Sequence, residues 1–163
     1  MQYTLDLSVL ECSELSQKYV DEETEAAYRN TNYCVPTSDK LIVLRVDEAS
    51  EDIHKLMAAV NAEGAVFMTA HNPFGEFLEK DINTQANTAL QKDLDANFPN
   101  VQPCYGASPD EKYREESFLV YPVSREQAIE LCCRYQQNAV LFIGKGGVPE
   151  LVFHPEVGVE SSR

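Results

Sequence analysis

Six polar side chains have the types and placement to hold a small molecule: Thr69, Asn72, Asn83, Asn87, Glu115 and Asn138. Thr69 and Asn72 follow the apolar run Ala65-Val66-Phe67-Met68, at the carboxyl end of an expected strand, where open α/β sheets usually bind ligands. Asn83, Asn87 and Gln91 stand at i, i+4 and i+8, so they project from one stripe of the helix expected next. A neutral amide both donates and accepts, which suits a nucleobase, an amino acid or a sugar better than a bare phosphate. An Asn-Pro turn followed by an ordinary solvated helix face accounts for the same residues without a ligand.

Glu115 and Ser117 share one face of their strand, and Glu116 and Phe118 the other, because strand side chains alternate. A carboxylate beside a hydroxyl has the makings of a general base and a nucleophile. The sequence places no His or Lys to complete a triad, and strand-end hydrogen bonding is the simpler account of the pair. Gln137-Asn138 lies between a helix and a strand, where an Asn can take the left-handed conformation that ends helices. His71 has the chemistry of an acid or base near neutral pH, with a surface or structural role as the alternative. His54 and His154 have no nearby ligand-type partners, so neither a metal nor a cofactor is expected. Gly144-Lys145-Gly146-Gly147 lacks the spacing and the Ser or Thr of a phosphate loop and reads as a hairpin turn.

The elements that must position these residues follow from periodicity. Residues 41–46 form a short apolar, partly β-branched run and predict a strand. Ser50 offers an N-cap, and Ile53, Leu56, Met57 and Val60 predict an amphipathic helix over 51–62. A strand over 65–70 follows, and strand, helix, strand with short links predicts a right-handed crossover between two adjacent parallel strands. Ile82, Ala86, Leu90 and Leu94 predict a helix over 82–96. A strand at 117–121 precedes a helix over 125–136, opened by the capping box of Ser124 and Gln127. Residues 139–143 and 151–153 flank the glycine-rich turn as a terminal hairpin, and 155–163 reads as a loose tail. The expected fold class is α/β, with α+β as the alternative. It is a single layered domain over 1–163 with a mixed, mostly parallel sheet, three to four helices and a C-terminal hairpin.

Four short motifs, in order and spacing, carry a family resemblance: Tyr28-Arg29-Asn30-Thr31-Asn32-Tyr33, Phe67-Met68-Thr69-Ala70-His71-Asn72-Pro73, Tyr113-Arg114-Glu115-Glu116-Ser117 and Gln137-Asn138-Ala139. Over about residues 26–153 the chain resembles an uncharacterised bacterial family, domain of unknown function 3293. The resemblance implies a bacterial origin and a shared polar set, and it supplies no mechanism. The family favours Trp where this chain has Tyr113, so an indole donor becomes a hydroxyl at that position.

Charge narrows the partners. The 163 residues hold 13 Lys plus Arg against 27 Asp plus Glu, a formal net charge of −14, which repels a phosphate backbone. Direct nucleic-acid binding is therefore not expected. Residues 11–25 are rich in Asp and Glu and read as a solvated, helical face or as a docking surface for a basic protein partner. Five cysteines at Cys12, Cys34, Cys104, Cys132 and Cys133 show no CxxC pair and read as free thiols. The first residues show no basic segment followed by a long apolar one, and no run approaches the ~20 residues of a membrane span, so a cytoplasmic protein without membrane contact is expected. The functional expectation is a domain that binds a compact polar ligand through the six residues above, with catalysis left open. The alternative is an acidic protein–protein interaction module, in the extreme a nucleic-acid mimic.

Overall fold

The structure, a computed structural model, describes residues 18–160. In chain order it runs β1 (Tyr19–Val20), α1 (Glu22–Asn30), β2 (Asn32–Pro36), β3 (Leu41–Leu44), α2 (Glu51–Ala58), β4 (Gly64–Met68), a tight turn at Pro73–Gly75, α3 (Lys80–Asn97), β5 (Asn100–Ala107), β6 (Arg114–Tyr121), α4 (Arg125–Arg134), β7 (Ala139–Gly144), β8 (Pro149–Phe153) and β9 (Gly158–Val159). The helix starts obey local chemistry. Ser50 accepts from the Ile53 amide at 3.2 Å, and Ser124 and Gln127 form the reciprocal capping box.

The sheet differs from the expectation. Seven strands lie in the order β3-β2-β5-β6-β4-β7-β8, and every neighbouring pair is antiparallel. The mostly parallel sheet, and the adjacent parallel pair of residues 41–46 and 65–70, are therefore corrected: the architecture is α+β. A parallel pair occurs between β1 and β9, each two residues long. The physical reason is that a helical crossover fixes the sense of two strands but not what lies between them. β3 and β4 do run the same way, since four antiparallel steps separate them, with β2, β5 and β6 in between. In the same manner α3 joins β4 to β5 across β6, and α4 joins β6 to β7 across β4. The stretch β4-α3-β5-β6-α4-β7 is thus a split β-α-β arrangement, in which each crossover leaves a gap that a returning strand fills. The terminal hairpin of β7 and β8 forms as expected, from Ala139↔Phe153 to Ile143↔Pro149. After His154, where a loose tail was expected, Val157 is buried and β9 pairs with β1.

Two apolar clusters sandwich the sheet. On one face Ala86, Leu90 and Leu94 of α3 and Ala128, Leu131 and Cys132 of α4 pack against Val66, Met68, Phe118 and Val120. On the other face Ile53 and Met57 of α2 pack against Ala65, Phe67, Leu119, Tyr121 and Leu141. The alternation of strand side chains divides the two sets. Among the described residues no helix is long and apolar enough to cross a membrane. Cys34, Cys104, Cys132 and Cys133 are unbridged thiols, and Cys12 lies outside the described residues.

Candidate functional site

Ile82, Ala86, Leu90 and Leu94 recur every four residues, but each step of four advances about 40° beyond a full turn, so the stripe drifts around α3. Ile82 is consequently 40% exposed, while the buried positions at the start of the helix fall to Asn83 and Asn87. Both amides serve the backbone of the loop that follows β4. Asn87 Oδ1 accepts from the Ala70 amide at 2.8 Å, and its Nδ2 donates to the Glu116 carbonyl at 3.0 Å. Asn83 Oδ1 accepts from the Asn72 amide at 2.9 Å, while Nδ2 donates to Asn72 Oδ1 at 2.8 Å. Thr69 donates to the Glu116 carbonyl at 2.8 Å. These bonds pin a bent loop: Asn72, Phe74 and Gly75 all have positive φ, at 47°, 54° and 76°. A second row of bonds ties the loop to the turn after α4, where Gln136 O accepts from the Phe74 amide at 2.7 Å and Gln137 Nε2 donates to His71 O at 3.3 Å.

In front of this loop, on the α2 side of the sheet, lies a cleft of ≈ 670 Å³. Its walls come from α1, the ends of β4 and β5, and the starts of β6 and β7. Thr69, Asn72, Glu115 and Asn138 line it; Asn83 and Asn87 do not, standing behind the loop that they hold. Gly106, opposite Glu115 in the β5–β6 register and opposite Tyr33 in the β2–β5 register, leaves room between them.

The polar groups form two short chains. Asn72 Nδ2 donates to the Tyr113 hydroxyl at 3.3 Å, and that hydroxyl donates to Glu115 Oε2 at 2.8 Å. Asn138 Nδ2 donates to the Tyr28 hydroxyl at 2.9 Å. Loss of water around Glu115 pushes its carboxyl up to about 7, against the smaller opposing effect of the Tyr113 hydrogen bond. Burial, together with the Glu115 charge, raises Tyr113, and burial likewise raises Tyr28. Desolvation lowers His71, so this ring is neutral at pH 7. A carboxyl that titrates near neutrality, beside hydroxyls and amides that stay neutral, can bind a donor or exchange a proton with it.

The left-handed residue after α4 is Gln136, at φ 52°, rather than Asn138, which is thereby free to reach Tyr28. Sequence reasoning missed the aromatic share of the site. Tyr28, Tyr33 and Phe67 line the cleft, with the Tyr33 ring edge-on to Phe67 at 5.2 Å between centroids. Tyr28 and Tyr33 open and close the first of the four motifs, and that position was the available signal. Part of the acidic segment at residues 11–25 lies outside the described residues; within α1, Asp21 caps the helix through the Thr24 amide and Glu25 is buried against Arg29. Among the described residues no three His, Cys, Asp or Glu side chains gather as a metal cluster.

Residues 68–140 match the family described as Protein of unknown function (DUF3293). That stretch contains all six residues singled out above, and the family it matches is the one that the motifs resemble. Comparison with curated proteins and with solved structures gives no match.

Proposed function

We propose that the cleft beside Glu115 binds a compact polar ligand of the nucleobase, amino acid or sugar class, with Asn72, Tyr113, Glu115, Asn138 and Tyr28 making the polar contacts. The observation that carries this reading is the convergence of these five groups, drawn from four separate parts of the chain, on one largely apolar concavity, the usual form of a small-molecule site. Thr69 supports the loop and forms part of the wall. Asn83 and Asn87 contribute by fixing Asn72, whose Oδ1 accepts from the Leu78 amide at 3.0 Å while Nδ2 turns to Tyr113. The acidic docking surface has less behind it, because Asp21 is engaged in capping α1 and Glu25 is buried in the pair with Arg29.

The test is a thermal-shift screen of nucleobases, nucleosides, amino acids and their amines, and sugars, run in parallel on Gly106→Leu. The added side chain at this strand position fills the cleft from the β5 side. A ligand at 100 times its dissociation constant stabilises the wild type by about 2.7 kcal/mol. A compound that stabilises the wild type and leaves Gly106→Leu unmoved supports the reading. Equal stabilisation of both proteins, or no shift with any compound, counts against it.

A further inference from the structure

We propose that the ligand of this cleft is an organic cation, a protonated amine or quaternary ammonium carried on a small apolar body. This assignment rests on the reading of the cleft as a ligand site and narrows the classes named there to members that carry a cationic amine and no anionic group. Glu115 lines the cleft, and among the described residues the single hydrogen-bond partner of its carboxylate is the Tyr113 hydroxyl on Oε2. Its other oxygen has no protein partner there. Among the described residues no Lys or Arg lines the cleft; the charged residues that do are Glu115 and Glu23, and His71 is neutral. Four arginines are engaged elsewhere: Arg29 with Glu25 and Asp47, Arg114 with Glu116 and stacked on Tyr105, Arg125 with Glu150, Arg134 with Asp93.

The remaining walls suit the same guest. Tyr28, Tyr33, Phe67 and Tyr113 present aromatic rings around the carboxylate, and the faces of such rings attract cations. Phe77, 82% exposed, stands at the mouth as an apolar side chain without cover, placed to close over the body of a guest. A partly buried carboxylate without a counter-charge is costly, and a bound cation removes that cost as it enters. The reverse argument disfavours free amino acids, nucleotides and sugar phosphates, whose anionic groups would meet two glutamates and no basic side chain.

Three probes of one shape separate the possibilities: benzylamine, benzyl alcohol and benzoate, titrated at about pH 8 into isotopically labelled protein. The signals followed are the side-chain amides of Asn72 and Asn138 and the backbone amide of Gly106. The cationic assignment predicts benzylamine at least tenfold tighter than benzyl alcohol, with benzoate weaker still. Glu115→Gln, which keeps shape and hydrogen bonding, is expected to erase the preference for the amine while leaving the weaker alcohol binding. Equal or tighter binding of benzoate, or an amine preference that survives in Glu115→Gln, overturns the cationic assignment and leaves the cleft as a ligand site for other chemistry. If none of the probes moves the cleft signals, both the assignment and the reading beneath it fall.

Discussion

Replacing Glu115 by Gln changes one oxygen to an amide and removes a charge whose cost can be worked out from the folded state. A carboxyl that titrates near 4.5 in the open chain and about 7 in the folded protein binds its proton more tightly when folded. Each tenfold difference in proton affinity is worth about 1.4 kcal/mol, so the displacement corresponds to about 3 kcal/mol, and partial exposure of the side chain makes this an upper bound. The sign follows from linkage. Below about pH 4.5 Glu115 is protonated in both states and carries no penalty; as pH rises through about 7 the folded state loses stability, after which the loss is constant. His71 and His154, both lowered by desolvation, act in the opposite sense at acidic pH, but they are present in both proteins and cancel in the difference. Tyr28, Tyr33 and Tyr113 are raised and stay protonated throughout the window. Urea unfolding of the wild type and Glu115→Gln from about pH 4 to pH 8 measures that difference. The two proteins should be close in stability at the acid end, with the variant gaining 1 to about 3 kcal/mol by the alkaline end. Parallel profiles, or a variant that is less stable at about pH 8, would refute the claim that Glu115 holds an uncompensated charge in the fold.

Asn83→Ala is expected to lose about 2 to 3 kcal/mol, because it strands the buried Asn72 amide and leaves Asn72 Oδ1 short of a donor, despite the better helix propensity of Ala. The exposed Gln91→Ala on the same helix should stay within about 0.5 kcal/mol, and equal effects in urea melts would place Asn83 on a solvated face. Gly75→Ala forces a side chain into φ 76° and brings a Cβ to 3.1 Å from Asn138 Nδ2, for a loss of about 1 to 2 kcal/mol. Gly146→Ala, where a Cβ meets nothing within 4 Å, is the control in the same thermal melts, and matching losses would remove the strain argument.

Local signals survived folding because they are set within a few residues. Ser50, Ser124 and Gln127 cap helices through bonds three residues away, and the apolar runs at β4 and β7 are strands wherever they end up. Sheet order is a different matter. The helix between β3 and β4 dictates that both strands run the same way, but nothing in residues 41–68 says that β2, β5 and β6 will lie between them, since those pairings depend on hairpins formed elsewhere in the chain. The same limit applied to the site. Residue type and strand end singled out Thr69, Asn72, Glu115 and Asn138, which line one cleft. The i, i+4 spacing of Asn83 and Asn87 was equally legible, yet which way that stripe points is fixed by how α3 rolls onto the sheet. Leu90 and Leu94, fully buried, turn the two amides inward behind the loop. Tyr28 reaches Asn138 across 110 positions of sequence, and the absence of a basic side chain from the cleft wall among the described residues, although Arg114 adjoins Glu115 in the chain, is a fact of three-dimensional neighbourhood that no linear pattern records.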